Sequence, residues 1–166
     1  MTTYLLQAAR VWTGTDAGTI VDGAMLVRDG RIADVGPTAR FANATRLERV
    51  DLGDATLQPG LVDAHLHLYG KPWDGRLLLQ HGVTTVRDVG NRFPDIIRLR
   101  ERQKAGRWVG PRVLACGPLL DGAKPHWAHV ARGIPDDEDV EAVIDSVIDG
   151  GVDGLKTYVY APPATV

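Results

Sequence analysis

Strand-like runs recur along the second part of this chain at a nearly constant step, and that step limits the fold more than any other feature. Apolar β-type runs cover Leu61–Leu68, Thr84–Val89, Arg112–Cys116 and Gly154–Tyr160. Helical stretches lie between them. Pro94 stands near a helix start, where its missing N–H does no harm, and that helix is expected to run to about Lys104. The clearest helix is Asp136–Asp149. It has an Asp-rich first turn, then Val140, Val143, Ile144, Val147 and Ile148 at helical spacing, with Gly150-Gly151 as a stop. Alternating strands and helices predict a parallel sheet covered by helices. Strand starts near 61, 84, 112 and 154 give a mean step of about 31 residues, and eight such steps give about 250, the size of a (β/α)8 TIM barrel. Four units make the N-terminal half of such a barrel. A half-barrel leaves two open parallel edges, so the expectation is either a piece of a longer protein or a chain that a second chain completes.

Residues 1–57 have a different texture: short β-type runs with turn punctuation. Tyr4–Trp12 leads through a turn around Gly14–Gly18 to Ala24–Arg28. Asp29-Gly30 is a two-residue hairpin signal, and Arg31–Val35 completes the pair. Leu47–Leu52 and Ala55–Leu57 add two shorter strands. The fold class predicted is therefore α/β, with a small antiparallel β-sandwich domain over 1–57 followed by the first four β/α units of an incomplete TIM barrel over 58–166.

Bulk properties narrow the partners. The 166 residues carry a formal net charge of −2 with both signs scattered, so neither nucleic acid nor an anionic membrane is expected to bind. The first residues lack the basic and long apolar regions of a secretory signal, and no run approaches the roughly 18 apolar residues of a membrane helix. Cys116 is the only cysteine. It excludes an intrachain disulfide and a thiolate metal cluster, and it fits a cytoplasmic location.

The chemistry gathers at strand ends. In Leu61–Leu68, alternation puts Asp63, His65 and His67 on one face, and Val62, Ala64, Leu66 and Leu68 on the other, under the helices. Two imidazoles two residues apart at the C-terminal end of a strand can both reach one metal ion, and barrel active sites lie at that end. Neutral imidazole suits zinc or a similar metal; the alternative is a pair of polar core residues with ordinary hydrogen bonds. Lys156 sits inside the fourth strand, sharing a face with Gly154, Tyr158 and Tyr160. It is either a lysine reaching solvent, the better reading on spacing alone, or a base or carbamate-forming amine. Asp63 lies deeper on the metal face, suited to supporting a ligand histidine. His126 and His129 lie in the loop after the third strand, and His126 is either a substrate contact or a histidine without a role. His81 is expected to cap a helix C-terminus, Arg87-Asp88 to form a local ion pair, and Trp108 and Cys116 to pack.

Four segments carry a resemblance. Gln58-Pro59-Gly60-Leu61-Val62-Asp63-Ala64-His65-Leu66-His67 resembles the strand-1 signature of the amidohydrolase superfamily. Residues Gly82–Gly90 and Gly110–Pro118 resemble the next two strand segments of its imidazolonepropionase-like and prolidase-like branch, and Asp22–Ile32 resembles the small β domain that precedes the barrel. The resemblance implies that His65 and His67 bind metal and that Lys156, carboxylated, bridges two zinc ions. Lys156 tilts the likeness toward Xaa-Pro dipeptidase-like members. It also implies two histidines from strands 5 and 6 and a strand-8 aspartate that shuttles protons. None of these is in this sequence, so no catalytic residue is assigned within it. The implied function is hydrolysis of amide or peptide C–N bonds, in a dipeptide, an N-acyl amino acid or a cyclic amide, by metal-activated hydroxide, in an oligomer. The alternative is a non-catalytic subunit that assembles with a complementary chain. In the loop holding His126 the family is usually glycine-rich, whereas this chain has Pro125 and Trp127.

Overall fold

The computed structural model describes residues 2–71 and 73–161, and it divides into two units, Met1–Pro59 and Gly60–Val166. The first is one mixed sheet. Strand β1 (Thr3–Trp12) pairs antiparallel with β2 (Thr19–Arg28), which pairs antiparallel with β3 (Arg31–Pro37). Asp29 and Gly30 both adopt positive φ, 50° and 73°, the two-residue turn whose twist matches the flanking strands. On the other side of β1, β4 (Glu48–Asp51) and β5 (Thr56–Leu57) both run parallel to it. The unit fits the expected small β domain, but its sheet is not purely antiparallel. The physical reason is the connection: a 3-10 turn at Thr38–Phe41 carries the chain from β3 to the far side of β1, so β4 arrives in the direction of β1. Phe41 from that turn is buried with Leu5 and Ala24, closing the core of the unit.

The second unit alternates as expected at first. Strands β6 (Leu61–Leu66), β7 (Val83–Asp88) and β8 (Arg112–Ala115) form a parallel sheet in that order, with helix α1 (Asp74–Gln80) after β6 and α2 (Asp95–Lys104) after β7. His81 ends α1, its backbone N–H donating to carbonyls of the last turn, including that of Leu77 at 3.2 Å. Helix α2 buries Ile96, Leu99 and Arg100, one face at i, i+3, i+4 spacing, and Trp108 is buried with Ile96 and Leu99. Cys116 is buried, and burial pushes its thiol pKa up. Among the described residues, no helix is long and apolar enough to cross a membrane.

Several expectations change here. Val62 is 64% exposed and Ala64 is exposed too, although Leu66 is half-buried and Leu68 buried. Strand β6 is an edge of its sheet, and α1 packs against β7, so the start of β6 has no helix over it. The stretch read as a loop after the third strand holds two strands, β9 (Leu119–Gly122) and β10 (Ala131–Ile134). With β11 (Lys156–Thr157) they form a second parallel sheet in the order β10-β9-β11. The run Gly154–Tyr160 is thus a strand only at Lys156–Thr157. The chain leaves the ladder there because the Tyr160 amide donates to the Asp121 side chain at 2.7 Å rather than to a neighbouring strand.

Helix α3 (Val140–Asp149) begins four residues later than expected. The Asp139 carboxylate accepts from the Glu141 and Ala142 amides, 3.0 and 3.2 Å, which fixes Asp139 as the cap. Its apolar face buries Val143 and Val147 against Leu120 and Ile134. The helix stops at Gly150, where a Cβ would lie 2.0 Å from the Phe93 ring.

One ion pair ties these layers together. Arg100 of α2 is nearly buried and donates to Asp153 at 2.6 Å; the same Asp153 oxygen accepts the Ala115 amide of β8 at 2.9 Å. Burial would raise the Asp153 pKa, but the Ala115 amide and the Arg100 guanidinium outweigh it and hold the carboxyl below its usual 3.8. Burial likewise opposes the charge on Arg100, and its bonds to Asp153 and Glu101 reverse that. Because the folded pKa is depressed, this stabilisation is fully present above about pH 4 and is lost as the pH falls through the lower folded value. We expect Asp153→Ala to cost about 2–3 kcal/mol at pH 7 in urea unfolding, with the gap to the unaltered protein narrowing below pH 3.8; a constant gap down to pH 2 would contradict the ion-pair origin.

Candidate metal and substrate site

The C-terminal ends of the parallel strands must satisfy backbone amides that no longer have a ladder partner, and two buried aspartates do this. Asp88, at the end of β7, is fully buried. Its Oδ2 accepts from the Leu68 amide at 2.6 Å and the Asn91 side-chain amide at 3.0 Å, and its Oδ1 from the Gly90 amide at 3.2 Å. Asn91 also donates to the Leu68 carbonyl at 2.5 Å. The expected Arg87–Asp88 ion pair is not formed, since Arg87 donates to the Ala64 carbonyl and Asp88 serves the two strand-end loops. Asp121, at β9, is also fully buried and accepts from the amides of Gly122, His126 and Tyr160. Burial raises its pKa, but the amides of His126, Tyr160 and Gly122 outweigh burial and leave it lowered.

The loop stapled by Asp88 carries His67. Its Nδ1 lies 2.7 Å from the Gly90 carbonyl oxygen, which can only accept, so Nδ1 carries the proton and Nε2 is left as the free donor atom. The His65 and His67 ring centroids are 6.0 Å apart at 77°. Two imidazoles on one tetrahedral ion at about 2.1 Å per nitrogen have centroids roughly 5 Å apart, so a shared ion needs the two rings to close by about 1 Å. Asp63 accepts the His65 backbone amide at 3.0 Å. It shapes the chain at a candidate ligand, but through the backbone rather than the imidazole.

His65, His67 and Lys156 all line one cavity of about 460 Å³, with Tyr158 and Trp127 on its wall. That size suits a small organic ligand. Gly90 closes one side: a Cβ there would meet Leu119 at 2.4 Å and His67 at 3.5 Å, so bare backbone is needed. Of the four residues expected to share a face along 154–160, Lys156 and Tyr158 reach the cavity, whereas Tyr160 is exposed elsewhere. His126 does not line it. Its backbone amide is held by Asp121 and its ring lies against Trp127 and Tyr158, while His129 takes the place at the cavity wall. Among the described residues, the titratable lining is His65, His67, His129 and Lys156, besides two tyrosines, with no carboxylate. Among the described residues, no three His, Cys, Asp or Glu side chains converge to hold a metal ion. The His65–His67 pair thus supplies two nitrogen ligands of a donor set that needs further members. A larger hollow, about 510 Å³, borders α3 and contains the Arg132–Glu138 ion pair but neither His65, His67 nor Lys156.

The family described as the imidazolonepropionase-like composite domain of bacteria matches residues 23–42. An imidazolonepropionase of Ralstonia nicotianae is 54% identical over 52 residues, 31% of this chain and 13% of its own length. A solved structure of a protein assigned as a prolidase, from Bifidobacterium longum, superposes on 97% of this chain with a TM-score of 0.79 and 27% identity. These matches support the amidohydrolase superfamily. An allantoinase of Arabidopsis thaliana, 28% identical, aligns with 93% of the chain but only 30% of its own length. The chain corresponds to an N-terminal portion of superfamily members and spans 42% of the prolidase structure.

The sequence reading passes over Asp121 and gives Asp88 only an ion pair with Arg87. Their common signal is an aspartate at the end of a short apolar run with glycine one or two residues later. Asp88→Asn puts an NH2 group against an amide that needs an acceptor. We expect it to lower stability by about 1–3 kcal/mol in denaturant unfolding; a change within about 0.5 kcal/mol, the range of an ordinary surface substitution, would argue against the staple.

Proposed function

We propose that this chain supplies the first metal-binding half of a hydrolase that cleaves amide or peptide C–N bonds. The observation that carries the reading is the meeting of His65, His67 and Lys156 in one cavity at the C-terminal ends of parallel strands. In this reading the second unit is the N-terminal half of a TIM barrel, and the superfamily relationship supports it. His65 and His67 would hold one of two zinc ions, and Lys156, as a carbamate, would bridge them. A bound divalent metal lowers the pKa of water, making hydroxide available near neutral pH, and polarises the scissile carbonyl.

The chain's own residues do the positioning. The Gly90 carbonyl holds the proton on Nδ1 of His67, which leaves the Nε2 lone pair of the neutral ring available to a metal. Asp63 holds the backbone at His65. The lining without carboxylates leaves the basic groups free to receive acidic partners, either a metal-bridging carbamate on Lys156 or a substrate carboxylate. Xaa-Pro dipeptides are the first substrate class proposed, because they match what the prolidase-type neighbours are named for, and N-acyl amino acids and cyclic amides follow. A reducing cytoplasm suits the single buried thiol of Cys116.

A second reading is favoured by the incomplete donor set: a subunit that turns over nothing by itself and assembles with a complementary chain into an oligomer. Two experiments separate the readings. Zinc titration of the 166-residue chain by calorimetry is expected to show weak binding and no hydrolysis of Gly-Pro or N-acetyl amino acids, because a catalytic zinc takes three protein ligands plus water. Tight, stoichiometric binding would count against this. In a protein that does retain zinc, His65→Asn with His67→Asn should abolish both metal content and hydrolysis, and Lys156→Ala should remove the carbamate signal seen by ¹³C NMR after labelling with ¹³C-bicarbonate. Activity that survives the double histidine change would sink the proposed metal site.

A further inference from the structure

Trp127 is 47% exposed, yet its ring is pinned. Its indole N–H donates to the Tyr158 hydroxyl at 3.2 Å. The rings of His126 and His129 meet it edge-on, at centroid distances of 5.3 and 5.8 Å and interplanar angles of 79° and 81°. The anchor is firm at both ends, because His126 and Tyr160, flanking Trp127 and Tyr158 in sequence, both give their amides to buried Asp121. A half-exposed indole held in this way faces the cavity that also contains His65, His67 and Lys156. Apolar Leu119 and Val130 lie beside it on the wall.

Burying a large flat surface against an already ordered ring costs little conformational entropy. An indole face attracts either a cation or another flat apolar group. Among the described residues the cavity wall carries three histidines and a lysine with no carboxylate, which disfavours an organic cation against the ring and leaves the flat apolar group. We propose that Trp127 is a specificity-determining wall that selects substrates bearing an aromatic group next to the hydrolysed C–N bond, such as N-acylated aromatic amino acids, over those with small side chains. This rests on the hydrolase reading for the identity of the bond, but the ring's selectivity is read by binding alone.

The test is calorimetric binding of N-acetyl-L-phenylalanine and N-acetyl-L-alanine, with zinc added, to the protein and to its Trp127→Phe and Trp127→Ala variants. The phenylalanine ligand is expected to bind roughly tenfold more tightly than the alanine ligand to the protein and to Trp127→Phe. In Trp127→Ala the preference should fall to within about twofold. In 5-fluorotryptophan-labelled protein, the ¹⁹F resonance lost in Trp127→Phe should move with the phenylalanine ligand, a readout that holds even if Trp127→Ala fails to fold. Equal affinities, a preference that persists in folded Trp127→Ala, or an unmoved Trp127 resonance each overturn the proposal. In a protein that retains zinc, aromatic-selective binding without hydrolysis would sink the hydrolase reading alone, whereas hydrolysis with no aromatic preference would sink this inference alone.

Discussion

Where a parallel strand ends, its last amides point at loops instead of at a neighbouring strand, and something must accept from them. In the second unit that acceptor is a buried carboxylate, at Asp88 for the ends of β6 and β7 and at Asp121 for β9 and β11. Left unpaired, each buried amide would cost about 1–3 kcal/mol, so a charged side chain is tolerated in the interior because several amides converge on it. The loops that result carry His67, His126, Trp127 and Tyr158. The placing of His67, Trp127 and Tyr158 on the cavity wall therefore depends on two residues that do not themselves line it.

Much of the second unit was legible because its signals are local and periodic. Helix α3 reads directly from Val140, Val143, Ile144 and Val147, and β7 and β8 fall within one residue of their expected bounds. The start of α3 was misjudged because an Asp-rich stretch offers several caps, and only the folded geometry shows that Asp139 takes the amides. Strands β9 and β10 escaped notice because four-residue runs such as Leu119–Gly122 carry too little alternation to separate from loop. In the first unit the parallel pairing of β4 with β1 is a property of the connection through Phe41, and pattern within a strand says nothing about direction.

The candidate site divides the same way. His65 and His67 stood out by spacing, and Lys156 by its charge inside an apolar run; the structure brings all three to one cavity. His126 does not line that cavity, and His129, three residues later, stands on its wall. No rule of spacing distinguishes two histidines in one irregular loop. The choice is made by Asp121 holding the His126 amide, a contact from a residue five positions earlier.

That contact has a consequence for how such a chain can be altered. The stretch 121–127 and the stretch 158–160 share a single acceptor, so neither is an independent module. An exchange of the first for a loop from a relative would strand the Tyr160 amide unless the incoming loop brings its own carboxylate at the position of Asp121. Changes to one stretch of the cavity rim therefore act on the other through the acceptor they share.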